Sequence, residues 1–139
     1  ICAALFLANG VWARPLVIIA VGASLLAAAG DYLETTTLLA ITQTLDAPNG
    51  LLDYSQLGAW SKFALLAAHA VFCAGICYTS EKPRYILGAV LLLPPFGVAA
   101  AAYDHIVWSD VMSAGFAVAW VALLVVAIVS VVRAKGAEA

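Results

Sequence analysis

The chain has 139 residues, 65% of them hydrophobic and only 10% charged, with a formal net charge of −2. Soluble domains average about 45–50% apolar and about 25% charged residues, so a water-soluble globule is excluded and lipid is the expected solvent. No basic patch points to nucleic acid as a partner, and the chain reads as one multi-span, all-α domain over residues 1–139.

The opening run ICAALFLANGVW is shorter than the roughly 20 residues a span requires. It reads as a partial first helix over residues 1–12, either the tail of a longer span or a processed N-terminus. Residues 15–44 form the first full span, with Pro15 suited to a first helical turn. The loop LDAPNGLLDYSQ follows, and its Pro48-Asn49-Gly50 is a turn signal. Residues 57–79 form the second span, closed by SEKPR. Residues 84–103 form the third, interrupted by Pro94-Pro95. DHIVWSD reads as a short connection, and residues 110–133 form the last span. Short connections make neighbours antiparallel, so the expected architecture is a transmembrane bundle of four full spans plus the partial N-terminal helix.

Charge placement agrees with this division. Arg14, Lys82, Arg84, Arg133 and Lys135 fall at one set of helix ends. Asp46, Asp53, Asp104 and Asp110 fall at the other set, which holds no Lys or Arg. By the positive-inside rule the basic ends are expected to be cytoplasmic and the acidic loops outside. Small residues such as Gly22, Gly30, Gly58 and Gly75 allow close helix approach.

Cys2, Cys73 and Cys77 lie in apolar surroundings. Cys73 and Cys77 are four apart, which is not C-x-x-C, and no second pair completes a zinc site. No metal is expected, and the cysteines read as small buried hydrophobes. A bis-histidine haem needs facing ligands, but His69 lies near mid-membrane and His105 at the surface. No cofactor is expected.

Two acids interrupt the first span in AAAGDYLETTTLLA. Asp31 is about 25 Å along the helix from Arg14, at 1.5 Å per residue. Asp31 and Glu34 therefore sit in the outer leaflet of a hydrocarbon core about 30 Å thick. Lys62, a few residues into the returning helix, lies at similar depth. A charge inside the membrane costs roughly 2.5–3.5 kcal/mol on insertion scales, so such groups face the bundle and pair. Asp31 and Thr35 share a face, with Ser24 and Thr42 extending a polar stripe. Lys62, His69, Cys73 and Cys77 share a face of the partner helix. Pro94-Pro95 must kink or break the third helix, and broken helices line cavities in some transporters.

The candidate catalytic residues are Asp31, Glu34, Lys62 and His105. The candidate substrate-binding residues are Thr35, Trp60, His69, Tyr103, Asp104 and Trp108. Each has a plainer reading. The acids and Lys62 make a register-fixing ion cluster, His69 is a satisfied bundle histidine, and Trp60, Tyr103 and Trp108 form an aromatic belt.

GDYLETTTLL, followed after a loop by WSKFALLAAH, resembles an uncharacterised class of small multi-span proteins with a D-x-x-E-N helix motif and a later Lys-containing span. Asp31, Glu34 and Lys62 carry the resemblance, and Thr35 stands where that pattern has Asn. The resemblance implies that these two helices pair. It brings no activity with it.

Three functions are compatible with these residues. The first is an accessory or ligand-binding membrane protein whose partners are membrane lipid, other membrane subunits or a lipophilic small molecule. The second is an isomerase, cyclase or hydrolase acting on a lipid or isoprenoid, with Asp31 and Glu34 as acid and base. No nucleophile motif such as G-x-S-x-G accompanies them. The third is proton or ion transport, which ranks last because Ser24 is the only polar side chain between Asp31 and Arg14.

Overall fold

The computed structural model describes residues 14–43, 49–80 and 82–136. They form five helices: α1 Arg14–Gln43, α2 Asn49–Thr79, α3 Tyr85–Val90, α4 Leu93–Tyr103 and α5 His105–Gly136. No strand occurs among the described residues. Four segments are long and apolar enough to cross a membrane, with α3 and α4 together making the third. The chain is therefore an all-α bundle of membrane-span-like helices. The expected partial helix over residues 1–12, and Cys2, Asp46 and Pro48 with it, lie outside the described residues.

The bundle is built from two hairpins. α1 packs along α2, α4 packs along α5, and α2 joins the pairs by meeting α3 and α4. The buried core gathers Val17 and Ala20 of α1, Cys73, Ala74, Ile76 and Cys77 of α2, Leu87 and Leu91, and Ala119 of α5. Cys73 and Cys77 are free thiols in that core, as small buried hydrophobes. α5 turns most of its side chains outward, Val118, Trp120, Val121, Leu124 and Val125 among them. Only 11% of its most apolar stretch is buried within the bundle. Such a helix needs lipid or a membrane partner around it.

Two boundaries differ from the sequence expectation, and in both cases the helix is longer. α2 starts at Asn49 rather than 57, so Asp53 and Tyr54 are helical. Leu51, Leu52 and Leu57 continue the apolar run through what reads as a polar loop. DHIVWSD is not a connection either. Asp104 alone separates α4 from α5. Its Oδ1 accepts from the Ile106 and Val107 amides at 3.1 and 3.3 Å, an N-cap that starts α5 at once.

The third span is interrupted just before its prolines, although Leu91 and Leu92 keep helical dihedrals. Leu91 and Leu92 form a turn, and Pro94 and Pro95 occupy the first positions of α4. There the missing proline N–H groups cost little, because a helix's first donors have no partner within it. The Leu92 amide reaches back to Ala89 O at 3.1 Å in a tighter turn. Beyond the break, α4 and α5 touch backbone to backbone. A Cβ on Gly97 would lie 2.7 Å from Met112 Cα, and one on Gly115 would lie 3.0 Å from Leu93 O.

Candidate functional site

The α1 and α2 backbones approach closely where Gly30 meets Gly58. A Cβ on Gly58 would lie 2.8 Å from the Glu34 backbone nitrogen and 3.0 Å from Gly30 O. A Cβ on Gly30 would come within 2.9 Å of Ser61 Oγ and 3.2 Å of the Lys62 nitrogen. Only hydrogen side chains allow this approach. Gly30 precedes Asp31, and Gly58 lies one turn before Lys62. The glycine contact thus sets the three charges opposite one another.

Lys62 Nζ donates to Asp31 Oδ1 at 3.0 Å and to Glu34 Oε2 at 2.5 Å. The same ammonium lies 5.0 Å from the centre of the Phe63 ring, within cation–π range. The two acids differ in surroundings. The Glu34 side chain is 22% exposed and that of Lys62 19%, whereas that of Asp31 is 59% exposed. Lys62 does not snorkel away to the surface. It bridges both carboxylates, which together outnumber it in charge.

The hydroxyls around the cluster are occupied locally. Ser61 donates to Gly58 O at 3.0 Å, and Thr37 donates to Leu33 O at 2.8 Å. Ser24 donates to Val21 O at 2.9 Å and Thr42 to Leu39 O at 2.7 Å. Of the expected polar stripe, Ser24 and Thr42 are held in intrahelical bonds, whereas Asp31 reaches across to Lys62. Thr35 is exposed and outside the Lys62 contacts, while Thr37 is the buried threonine of this run.

His69 is buried and closed off. Its Nδ1 lies 2.8 Å from Ala20 O, and its Nε2 lies 3.5 Å from Cys73 Sγ. A carbonyl only accepts, so Nδ1 carries the proton and Nε2 is left to accept the Cys73 S–H. This is a satisfied bundle histidine tying α1 to α2. Beside it is a cavity of about 20 Å³, walled by apolar side chains such as Leu91, Pro94 and Phe116.

His105 lies apart from the acids. Its ring meets Trp60 edge-on, with centroids 5.8 Å apart. Trp60 and Lys62 are two residues apart on α2, nearly opposite around the helix, so His105 packs on the face away from the ion cluster. A cavity of about 50 Å³ lies there, lined by Ala59, Trp60, Phe63, His105 and Met112. Asp104 is engaged as the α5 cap. Tyr103 and Trp108 are exposed and suit an interfacial belt.

The structure thus brings Asp31, Glu34 and Lys62 together and places His69, Thr35, Asp104 and His105 in separate settings. The Gly30–Gly58 contact and Thr37 were not singled out by the sequence, although both glycines were visible as small residues that allow close helix approach. No group of three or more His, Cys, Asp or Glu side chains suited to a metal ion occurs among the described residues. No family model, no curated protein and no solved structure matches this chain.

Proposed function

We propose that this is a non-catalytic integral membrane protein, an accessory or ligand-binding bundle whose outer-leaflet ion cluster fastens its first hairpin. One observation carries the reading: a single ammonium bridges both carboxylates beside the close glycine contact of α1 and α2. The hydroxyl of Ser61, next to Lys62 in the chain, donates to a backbone carbonyl, and His105 faces elsewhere. Neither of these two is therefore poised as an activated nucleophile beside the acids. The half-exposed Asp31 carboxylate and the outward Tyr32 beside it offer a polar contact for another membrane subunit or a lipophilic ligand. The likeness to the D-x-x-E-N class rests on the same three charged residues and adds support for helix pairing alone. In this proposal the basic helix ends are cytoplasmic and the acidic ends outside.

The test is a melting curve in detergent for Lys62→Ala, Asp31→Asn and Glu34→Gln. Removing one side of a fully buried pair typically costs about 3–5 kcal/mol; this cluster is only partly enclosed, so Lys62→Ala should melt below the parent by a part of that. Both neutral isosteres should also melt lower. If either isostere leaves stability unchanged or raised, the fastening role fails. The second reading then applies, a lipid or isoprenoid isomerase, cyclase or hydrolase. It draws on the unequal exposure of Asp31 and Glu34, because carboxylates in unlike surroundings can divide acid and base roles.

A further inference from the structure

A second site lies at the opposite, Lys/Arg-bearing end of the bundle and does not depend on the ion cluster. Between α3 and α5 runs an open groove of about 600 Å³, within the roughly 300–1,000 Å³ of small-ligand sites. Its walls are apolar, chiefly Ile86, Leu87 and Val90 on one side and Ala122, Val125 and Val126 on the other.

The groove follows from the break in the third span. On the α4 side of the break, Gly97 and Gly115 bring the backbones of α4 and α5 into contact. On the α3 side the short helix is held to α2 instead. The Tyr78 ring fills the space over Gly88, where a Cβ would lie 2.7 Å from it. The Arg84 amide donates to Cys77 O at 3.0 Å, folding the connection onto the end of α2. α3 is thus drawn toward α2, and the space between it and α5 stays open.

Charge lies at the mouth of the groove. Arg84 lines it directly, and Lys82 is exposed two residues earlier. Arg133 is exposed two turns beyond Val126, on the same face of α5. From Arg84 to Val90 the groove runs about 9 Å into the apolar zone, at 1.5 Å per residue. Arg84 at the apolar slot, with Lys82 and Arg133 exposed at the same helix ends, complements an anionic headgroup above an acyl chain. Basic pockets between spans bind such headgroups in other membrane proteins.

We propose that this groove binds one anionic phospholipid, with its phosphate at Arg84 and an acyl chain along Val90 and Val125. The probe is phosphatidylglycerol, compared with phosphatidylcholine of identical chains and with inorganic phosphate. Binding is read by native mass spectrometry of the detergent-solubilised full chain and by the shift in its melting temperature. One phosphatidylglycerol per chain should be retained in preference to phosphatidylcholine. Arg84→Gln should weaken retention about fivefold, in line with about 1 kcal/mol per basic residue near an anionic headgroup. Val125→Trp, at an outward-facing position that folding does not fill, should abolish retention while the melting temperature without lipid stays near that of the parent. Equal retention of both lipids would overturn the proposal. So would retention unaffected by Val125→Trp, or an equal shift with inorganic phosphate alone. A dimer disrupted by Val125→Trp with no bound lipid would assign the groove to a second copy and overturn it too.

Discussion

At the scale of single residues, the position of Lys62 decides the chemistry. A lysine this near a membrane surface has two outlets, the headgroup region or a buried acid. Here it takes the second and meets two acids at once. Their unequal exposure gives an ordered prediction. Glu34 is mostly enclosed, so Glu34→Gln should lower the melting temperature more than Asp31→Asn. Asp31 retains contact with its surroundings and loses less on neutralisation, as for more exposed ion pairs generally. An equal or reversed order in matched melting curves would show that enclosure is not what gives the pair its strength. His69 illustrates the reverse case. An intramembrane histidine invites a functional role, but both of its ring nitrogens are engaged, with Ala20 O and Cys73 Sγ, so it works as a strut between α1 and α2.

At the scale of helices, glycine contacts replace the hydrophobic drive that lipid removes. Gly30 against Gly58 closes one hairpin, and Gly97 against Met112 with Gly115 against Leu93 closes the other. The glycines are not equivalent. Gly22 has nothing within 4 Å of a prospective Cβ, whereas Gly58 and Gly97 meet backbone atoms at 2.8 and 2.7 Å. Gly58→Ala and Gly97→Ala should therefore force their helices apart and lower stability by about 1–3 kcal/mol, the usual cost of overpacking. Gly22→Ala should be neutral or stabilise by up to about 1 kcal/mol, since alanine is the better helix former. Thermal denaturation of the three alanine variants in one detergent checks this. A destabilised Gly22→Ala beside unaffected Gly58→Ala and Gly97→Ala would contradict the packing described.

For the whole molecule, the one-sided arrangement of cations is the basis of the proposed orientation. Lys82 and Arg133 stand at one end, and Tyr103 with Asp104 at the other, each exposed or half-exposed. The native thiols Cys73 and Cys77 are buried, so they give little background once Cys2 is replaced by Ser. In intact cells, Tyr103→Cys should react with a membrane-impermeant maleimide and Lys82→Cys should react only after permeabilisation. The opposite pattern would reverse the assigned orientation and move the lipid groove to the outer leaflet.

Composition and apolar segment length pointed to an all-α bundle and to the four span-like segments among the described residues, because lipid imposes length and apolarity on each crossing segment independently of its neighbours. The pairing of Asp31, Glu34 and Lys62 was legible for a related reason: charges at matched depth on consecutive helices have few other partners. Helix ends were less legible. Asp104 reads equally well as a loop residue or as a cap, and its bonds to the Ile106 and Val107 amides decide between them. Which residues face one another was left to the tertiary structure. Thr35 and Thr37 are alike in sequence, yet one is exposed and the other buried. His105 shares a membrane end with the acids but packs on Trp60. The groove between α3 and α5 depends on α3 being held to α2 through Tyr78 and Gly88. Helix rotation and separation arise from contacts between distant segments, which residue order along one helix does not specify.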